Sequence, residues 1–332
     1  MKLVTWLKNG DEAAVGALTG DDEIVDLKAA AVLFEKANEP FESMLSLIQH
    51  GEAALDTARH LMLRVAEGGE KSLCTPLTSA TLLAPLPVPE SVRDAMAFED
   101  HIINCIRVMG LKKLGRVDEW VEKRWGRKAT LARFINRAWY ERPVYYKSNR
   151  FSVVGPDAEV AIPSYCRTFD YELELGIVIG KTGTNIPASR AGEHIFGYTL
   201  FNDFSARDEQ MREMKGRLGP AKGKDFDGGN AMGPILVTRD EVPDPLNIRM
   251  EATVNGEVWS SGSTADMHWG FEEIIEAISR DETLYPGEFI GSGTCSGKEG
   301  KGCGLEMGRF LSPGDTVALT AEGIGTLRNR VV

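Results

Sequence analysis

Apolar and polar residues alternate in short runs at the start of the chain: KLVTWLK, AAVGALTG and EIVDLKAA. Asn9-Gly10 and Gly20-Asp21-Asp22 separate them, and this is turn chemistry that closes hairpins. Three short strands are predicted. Between 31 and 69 the apolar period lengthens to that of helices, most clearly in EAALDTARHLMLRVAE. The prolines of LLAPLPVPES favour extended backbone and predict a boundary near residue 85. A small N-terminal α+β domain (1–85) would then precede a β-rich catalytic domain (86–332). In RDAMAFEDHIINCIRVMG (93–110), Met96, Ile103 and Val108 fall near a 3.6-residue period, which predicts an amphipathic helix. From about 144 strands dominate: FSVVG, YELELGIVIGK, FGYTLFND, GPILVT, IRMEATVNGEVW, TVALTAEG and GTLRNRVV. Helices are predicted at 204–216 and 266–280. Asn255-Gly256, between two alternating runs, signals a hairpin. The pattern is that of a β-rich α+β protein, not a repeating βαβ array.

Composition narrows the function. Hydrophobic residues at 42% and charged residues at 26% are those of a folded chain. No apolar run approaches the roughly 20 residues needed to span a bilayer. The N-terminal apolar stretch is too short for a secretory signal, so a cytoplasmic protein with no membrane partner is expected. A formal net charge of −11 argues against a nucleic-acid partner. One segment runs the other way: residues 112–142 carry ten Lys/Arg against four Asp/Glu. It reads as a basic helical insertion, either a solvated face or a lid that attracts an anionic substrate. The five cysteines form no CxxC pair, which leaves neither a disulfide framework nor a thiolate zinc motif. They are expected to be reduced and mostly buried.

Several common chemistries are absent. There is no G-x-S-x-G elbow and no H-E-x-x-H helix. Glu299 follows Gly-Lys in GSGTCSGKEGKGCG, where a phosphate loop needs Ser or Thr. What remains is acidic. Glu172 and Glu174 lie two apart on an apolar strand, so both carboxylates share one face. Like charges side by side repel and need a positive neighbour. Cross-strand lysines or arginines would answer that need, and so would a metal. Asp203 ends the next strand, and three hard oxygen donors suit Mg²⁺ or Ca²⁺, with Mn²⁺ also suited. Arg207 and Gln210, at +4 and +7 from Asp203, fall on one face of the helix predicted in SARDEQMREMK. Asp94 and His101, seven apart, share a face of the helix predicted over 93–110. His101 is the histidine set among acidic residues; an exposed or capped role is the plainer alternative.

The ordered series DYELELGIVIGK, FNDFSARDEQ, GPAKGKDFD, GSGTCSG and GCGLE resembles the fumarylacetoacetate hydrolase family over nearly the whole chain. The resemblance implies a mixed-sheet roll of that family's C-terminal type, assembled as a homodimer. It implies Glu172, Glu174 and Asp203 as ligands of a divalent metal, Mg²⁺ first among Mg²⁺, Mn²⁺ and Ca²⁺, with Asp94 as a fourth. It implies a His101–Glu306 dyad, substrate-binding and polarising roles for Arg207, Gln210 and Lys224, and Thr294 in the active-site wall. The implied activity is hydrolysis of a carbon–carbon bond in a small anionic β-diketo acid or acylpyruvate, in aromatic-compound catabolism. Decarboxylation and isomerisation or hydration of keto acids are rivals on the same fold, because all pass through an enolate. A non-catalytic binding protein is a remoter one. The water-activating dyad favours hydrolysis. Gly228-Gly229 replaces a hydroxyl residue found in some members, and the 295–303 loop is long; both would reshape the pocket.

Overall fold

The computed structural model describes residues 1–20, 22–109, 112–298 and 300–332. Its frame is a long mixed sheet. Among the described residues the strands run in the order Cys74–Pro76, Glu23–Asp26, Glu12–Thr19, Lys2–Lys8, Asn230–Thr238, Ile195–Asp203, Glu174–Ile179, Glu288–Gly291, Ser91–Ala95 and Tyr145–Ser148. A second sheet orders Glu257–Ser263, Arg249–Val254, Thr316–Ala321, Gly325–Val331 and Glu159–Val160.

The long sheet is covered on both faces, which explains why its central strand reads as a continuous apolar run. From Glu174–Ile179, Leu175, Ile177 and Ile179 join Met250, Leu319 and Leu327 of the second sheet in one core. Val178 points the other way, into a core with Leu47 and Leu61 of helix Met44–Gly68. That helix is kinked at Gly51, whose φ of 61 is left-handed. The two Asn-Gly signals are hairpins: Asn9 and Gly10 have φ 54 and 90, Asn255 and Gly256 φ 53 and 81, as type I′ turns require. Asp21, in the predicted turn between the second and third strands, lies outside the described residues, as does Glu299.

The N-terminal strands extend the sheet that carries the acidic residues. Leu3 pairs with Leu236 and Lys2 with Val237, and the same strand, Asn230–Thr238, pairs on its other side with Ile195–Asp203.

One predicted helix is two elements. Arg93 and Asp94 lie in strand Ser91–Ala95, parallel to Glu288–Gly291, and the helix is Glu99–Met109. Met96 precedes it, Val108 is exposed, and its buried face carries Ile102, Ile103 and Cys105. Pairing with a buried strand outweighs the weak period at its start. Position 110, the predicted end, lies outside the described residues. The basic insertion is helical over Lys112–Trp125, Leu131–Ile135 and Arg137–Glu141. Much of its charge is met locally. Arg127 reaches Glu99 at 3.0 Å and Asp100 at 2.6 Å, and Arg107 reaches Asp118 at 3.0 Å and Glu122 at 2.6 Å. These pairs stitch the insertion to the Glu99–Met109 helix. Among the described residues no helix is long and apolar enough to cross a membrane.

Leu3 is fully buried at the seam between the N-terminal strands and the rest. Leu3→Ala should lower the stability of the whole chain by about 2–5 kcal/mol, the usual cost of such a truncation. Denaturant unfolding followed by tryptophan fluorescence measures it; an unmoved midpoint would show that this seam bears no load.

Candidate active site

Adjacent strands of the long sheet end at one ledge. Asp94 is opposite Gly291, Glu174 opposite Phe201, and Asp203 closes its strand opposite Asn230. Glu172 is held by an isolated antiparallel bridge to Cys303. One carboxylate oxygen from each of Asp94, Glu172, Glu174 and Asp203 lies within 4.8 Å of the others, and all four residues are buried. Gly291 permits this approach: a Cβ there would stand 2.4 Å from Asp94 Oδ1 and 3.0 Å from Glu174 Oε2.

Two buried cations serve one side of the cluster. Lys224 Nζ donates to Glu172 Oε2 at 2.7 Å and also to Asp203 Oδ2, which accepts from the Tyr146 hydroxyl as well. Arg207 Nη2 lies 2.8 Å from Glu172 Oε1 and 2.7 Å from Asp170 Oδ2, and its Nε donates to Asp170 Oδ2 at 2.8 Å. On the other side the Gly293 N–H donates to Glu174 Oε2 at 2.9 Å and to Asp94 Oδ1 at 3.1 Å. Glu174 Oε1 and Asp203 Oδ1 are buried with no hydrogen-bond partner.

Proton affinities follow that division. Burial would raise Glu172, but Lys224 and then Arg207 outweigh it and hold its carboxyl well below the usual range. Burial and the nearby Asp94 push Glu174 far up. Burial and Asp203 push Asp94 up to about 8. Burial raises Asp203 to about 6 against the pull of Lys224. The positive charge is unevenly placed: Lys224 and Arg207 neutralise Glu172, while among the described residues no cation forms an ion pair with Glu174 or Asp94. A hard divalent cation fits this set of oxygen donors, two of them unpartnered.

A second group lies beside the first. His101, on helix Glu99–Met109, places Nδ1 2.7 Å from Glu306 Oε1. Asn104 Nδ2 donates to Glu306 Oε2 at 2.7 Å, and the Ser296 hydroxyl donates to Oε1. With these donors around Glu306, the hydrogen-bond pattern assigns the His101 proton to Nδ1 and leaves Nε2 for chemistry. Burial lowers His101, but Cys105, Cys303 and Glu306 more than reverse it, so the ring sits well above its ordinary value. Glu306 belongs to the turn Gly304–Met307, whose Gly304 and Leu305 N–H groups donate to Asp170 at 2.8 and 2.9 Å. Asp170 thus binds the dyad's turn and Arg207 together.

Residues 123–332 match the family described as fumarylacetoacetate (FAA) hydrolase C-terminal. The chain belongs to the fumarylacetoacetate hydrolase family. It is 32% identical over 323 residues to oxaloacetate tautomerase YisK of Bacillus subtilis, covering 96% of this chain and 95% of that protein. It is 33% identical over 291 residues to the mitochondrial oxaloacetate tautomerase FAHD2A of Homo sapiens, covering 88% and 80%. Among solved structures, the fumarylacetoacetate hydrolase of Exiguobacterium antarcticum matches with a TM-score of 0.72 at 28% identity, over 100% of this chain and 99% of that one.

Within this fumarylacetoacetate hydrolase family chain, two of the sequence's helical-face arguments fail. Asp94 is in a strand and His101 in a helix, so no shared face relates them. Asp203 ends a strand, and the helix that follows is Arg207–Met214, so Asp203 shares no helical face with Arg207 and Gln210. Arg207 is buried against Asp170 and Glu172 and donates to Gln210 Oε1 at 3.0 Å. Its guanidinium orients Glu172 instead of standing free for a substrate carboxylate. Thr294 is buried beside Gly302. Sequence reasoning missed Asp170, Tyr146, Asn104 and Ser296. Asp170 had a signal, since it continues the every-second-residue spacing of Glu172 and Glu174; the others come from distant segments with none.

Glu174→Ala should abolish tight divalent-metal binding with the fold intact, and Gly291→Ala should weaken it by displacing Asp94 and Glu174. Calorimetric titration with Mn²⁺ reads both, and stoichiometric metal in Glu174→Ala would refute the site. Asp170→Ala leaves Arg207 buried with Glu172 as its remaining carboxylate, and breaking such a buried pair should cost about 3–5 kcal/mol. Equilibrium unfolding unchanged from wild type would show that Asp170 does not hold this corner together.

Proposed function

We propose that this protein is a divalent-metal-dependent keto–enol tautomerase of small dicarboxylic oxo acids of the oxaloacetate class. The observation that carries the reading is the buried His101–Glu306 pair, Nδ1 to Oε1 at 2.7 Å, bridged to the carboxylate cluster through the Glu172–Cys303 pairing. Its support from outside the site is that two relatives named oxaloacetate tautomerases align over most of the chain.

Asp94, Glu172, Glu174 and Asp203 would hold the cation, with Mg²⁺ favoured by the all-oxygen donor set. When bound, it supplies Lewis-acid polarisation of a substrate oxygen. Tautomerisation moves one proton between the enol oxygen and the neighbouring carbon. One group that accepts a proton and returns it is enough, and no attacking water is needed. His101 Nε2 is that group, while Glu306, held by Asn104 and Ser296, fixes the ring and steadies its charged form. Lys224 lies between Glu172 and Asp203 and places a fixed positive charge where negative charge gathers on the substrate oxygen. Arg207 keeps Glu172 ionised and oriented.

Hydrolysis of an acylpyruvate is the second reading, favoured by the same dyad, because a His–carboxylate pair also activates water. Assays with Mg²⁺ separate the two. The expected result is accelerated decay of enol-oxaloacetate absorbance, with no cleavage across an acylpyruvate panel. Cleavage without tautomerisation would replace this reading with the hydrolase, and release of CO₂ alone would replace it with a decarboxylase.

His101→Ala and Glu306→Gln should each lower tautomerase turnover by about 10²–10⁴-fold. Their combined effect should be less than additive, because the two act as one unit. His101 is raised, so its proton-accepting neutral form accumulates only as pH rises. In the wild type kcat/KM should therefore climb through a limb above the ordinary histidine range. Full turnover in both variants, or a flat profile, would remove His101 from the chemistry.

A further inference from the structure

Proton transfer uses His101 and Glu306, yet two thiols crowd the same pair and the reaction needs neither. Cys105, one helical turn after His101, holds Sγ 3.7 Å from both ring nitrogens. Cys303 Sγ lies 3.8 Å from Glu306 Oε1, the oxygen that meets the ring. Ligand atoms of His101, Cys303 and Glu306 all fall within 4.8 Å of one another, and the three residues are buried, as is Cys105.

The separations among His101, Cys303 and Glu306 approach those of a coordination shell, and Cys105 stands beside it against the ring. Zinc bonds of about 2.3 Å to sulfur and 2.0 Å to nitrogen or oxygen put neighbouring tetrahedral ligands about 3.3–3.6 Å apart. Both sulfur contacts stand within a few tenths of an ångström of that edge. The His101–Glu306 hydrogen bond is shorter and would have to open by about half an ångström to admit an ion. The donors differ in kind from those of the neighbouring cluster: one imidazole, one sulfur and one carboxylate, with a second sulfur beside the ring, against four carboxylates. Soft and borderline ions prefer the first set and magnesium the second.

We propose that His101, Cys303 and Glu306, with Cys105 beside the ring, form a second metal site, selective for a zinc-like ion, whose occupancy takes His101 and Glu306 out of proton transfer. Binding releases the Cys303 thiol proton and takes the His101 proton off Nδ1, to Nε2 or to solvent, so that the sulfur and Nδ1 lone pairs face the ion. Zinc would thus act as an inhibitor while magnesium remains at the carboxylate cluster. The plainer account is that the two cysteines pack as small apolar side chains with Leu305, the third member of their cluster. Packing explains their burial, but not the convergence of both sulfurs on the ring and the carboxylate.

Co²⁺ is the probe, titrated into full-length protein already saturated with Mg²⁺. One equivalent should produce the near-ultraviolet absorption of thiolate-bound cobalt, and Zn²⁺ should bleach it. The band should collapse in Cys303→Ser, which keeps the backbone bridge to Glu172, and persist in Cys74→Ser and Cys166→Ser, which alter thiols elsewhere. If Cys303→Ser fails to fold, His101→Ala decides the matter, because loss of the ring nitrogen should lower the cobalt affinity at least tenfold. No band, or a band unchanged in whichever of Cys303→Ser and His101→Ala folds, overturns the site. Zinc should also slow enol-oxaloacetate turnover, with the half-inhibiting concentration rising at least tenfold in Cys303→Ser. The absorption band reads the metal without any turnover, so failure of the tautomerase reading and failure of this one give separate results.

Discussion

Five carboxylates, from Asp94, Asp170, Glu172, Glu174 and Asp203, are buried together around the two cations Arg207 and Lys224. An isolated ionised carboxylate in such surroundings is untenable, so each must be paired, hydrogen-bonded, protonated or bound to metal. Much of the site's architecture answers this one requirement. Arg207 bridges Asp170 and Glu172. Lys224 bridges Glu172 and Asp203. The N–H groups of Gly304 and Leu305 complete Asp170, and that of Gly293 serves Asp94 and Glu174. The result is uneven: Glu172, beside Lys224 and Arg207, is held low, whereas burial and Asp94 drive Glu174 high.

Concentrating so much negative charge demands a scaffold that resists spreading, and the doubly covered sheet provides it. Asp94, Glu174 and Asp203 stand at the ends of strands whose registers are fixed by buried apolar residues on both faces. A one-residue slip would drive each carboxylate into an apolar core, so register and site geometry are enforced by the same packing. The dyad is more lightly held. His101 comes from a helix beyond the sheet and Glu306 from a four-residue helical turn, and Asp170 joins that turn to the carboxylate layer.

Local pattern was enough to read the parts of this arrangement that local physics determines. Period-2 spacing placed Glu172 and Glu174 on one face, and Asn-Gly dipeptides placed two hairpins. Longer-range features were legible only through resemblance. Asp94 and His101 were joined by a helix that is in truth a strand, a turn and a helix, because a short strand's pairing partner lies 197 residues away in register with it. Tyr146, Asn104 and Ser296 had no signal at all. Each acts by reaching a carboxylate far off in the chain, and nothing about an isolated tyrosine, asparagine or serine announces such a partner. Asp170 shows the opposite failing: its spacing was visible, but its role depends on a turn 134 residues later.

The same physics explains why the reaction is harder to read than the site. Tautomerisation, decarboxylation and carbon–carbon hydrolysis all need negative charge stabilised on an oxygen next to a carboxylate, and the carboxylate cluster with Lys224 serves that need equally in each case. Discrimination rests on what His101 exchanges its proton with. A carbon acid presented to Nε2 gives tautomerisation, whereas a water between Nε2 and a distal carbonyl gives hydrolysis. The imidazole is the same in both, and its elevated proton affinity suits a group that must hand a proton to carbon. What would separate these reactions at such a site is therefore what can reach His101 Nε2, and not the carboxylates beneath it; the insertion stitched to the His101 helix through Arg107 and Arg127 borders that helix directly.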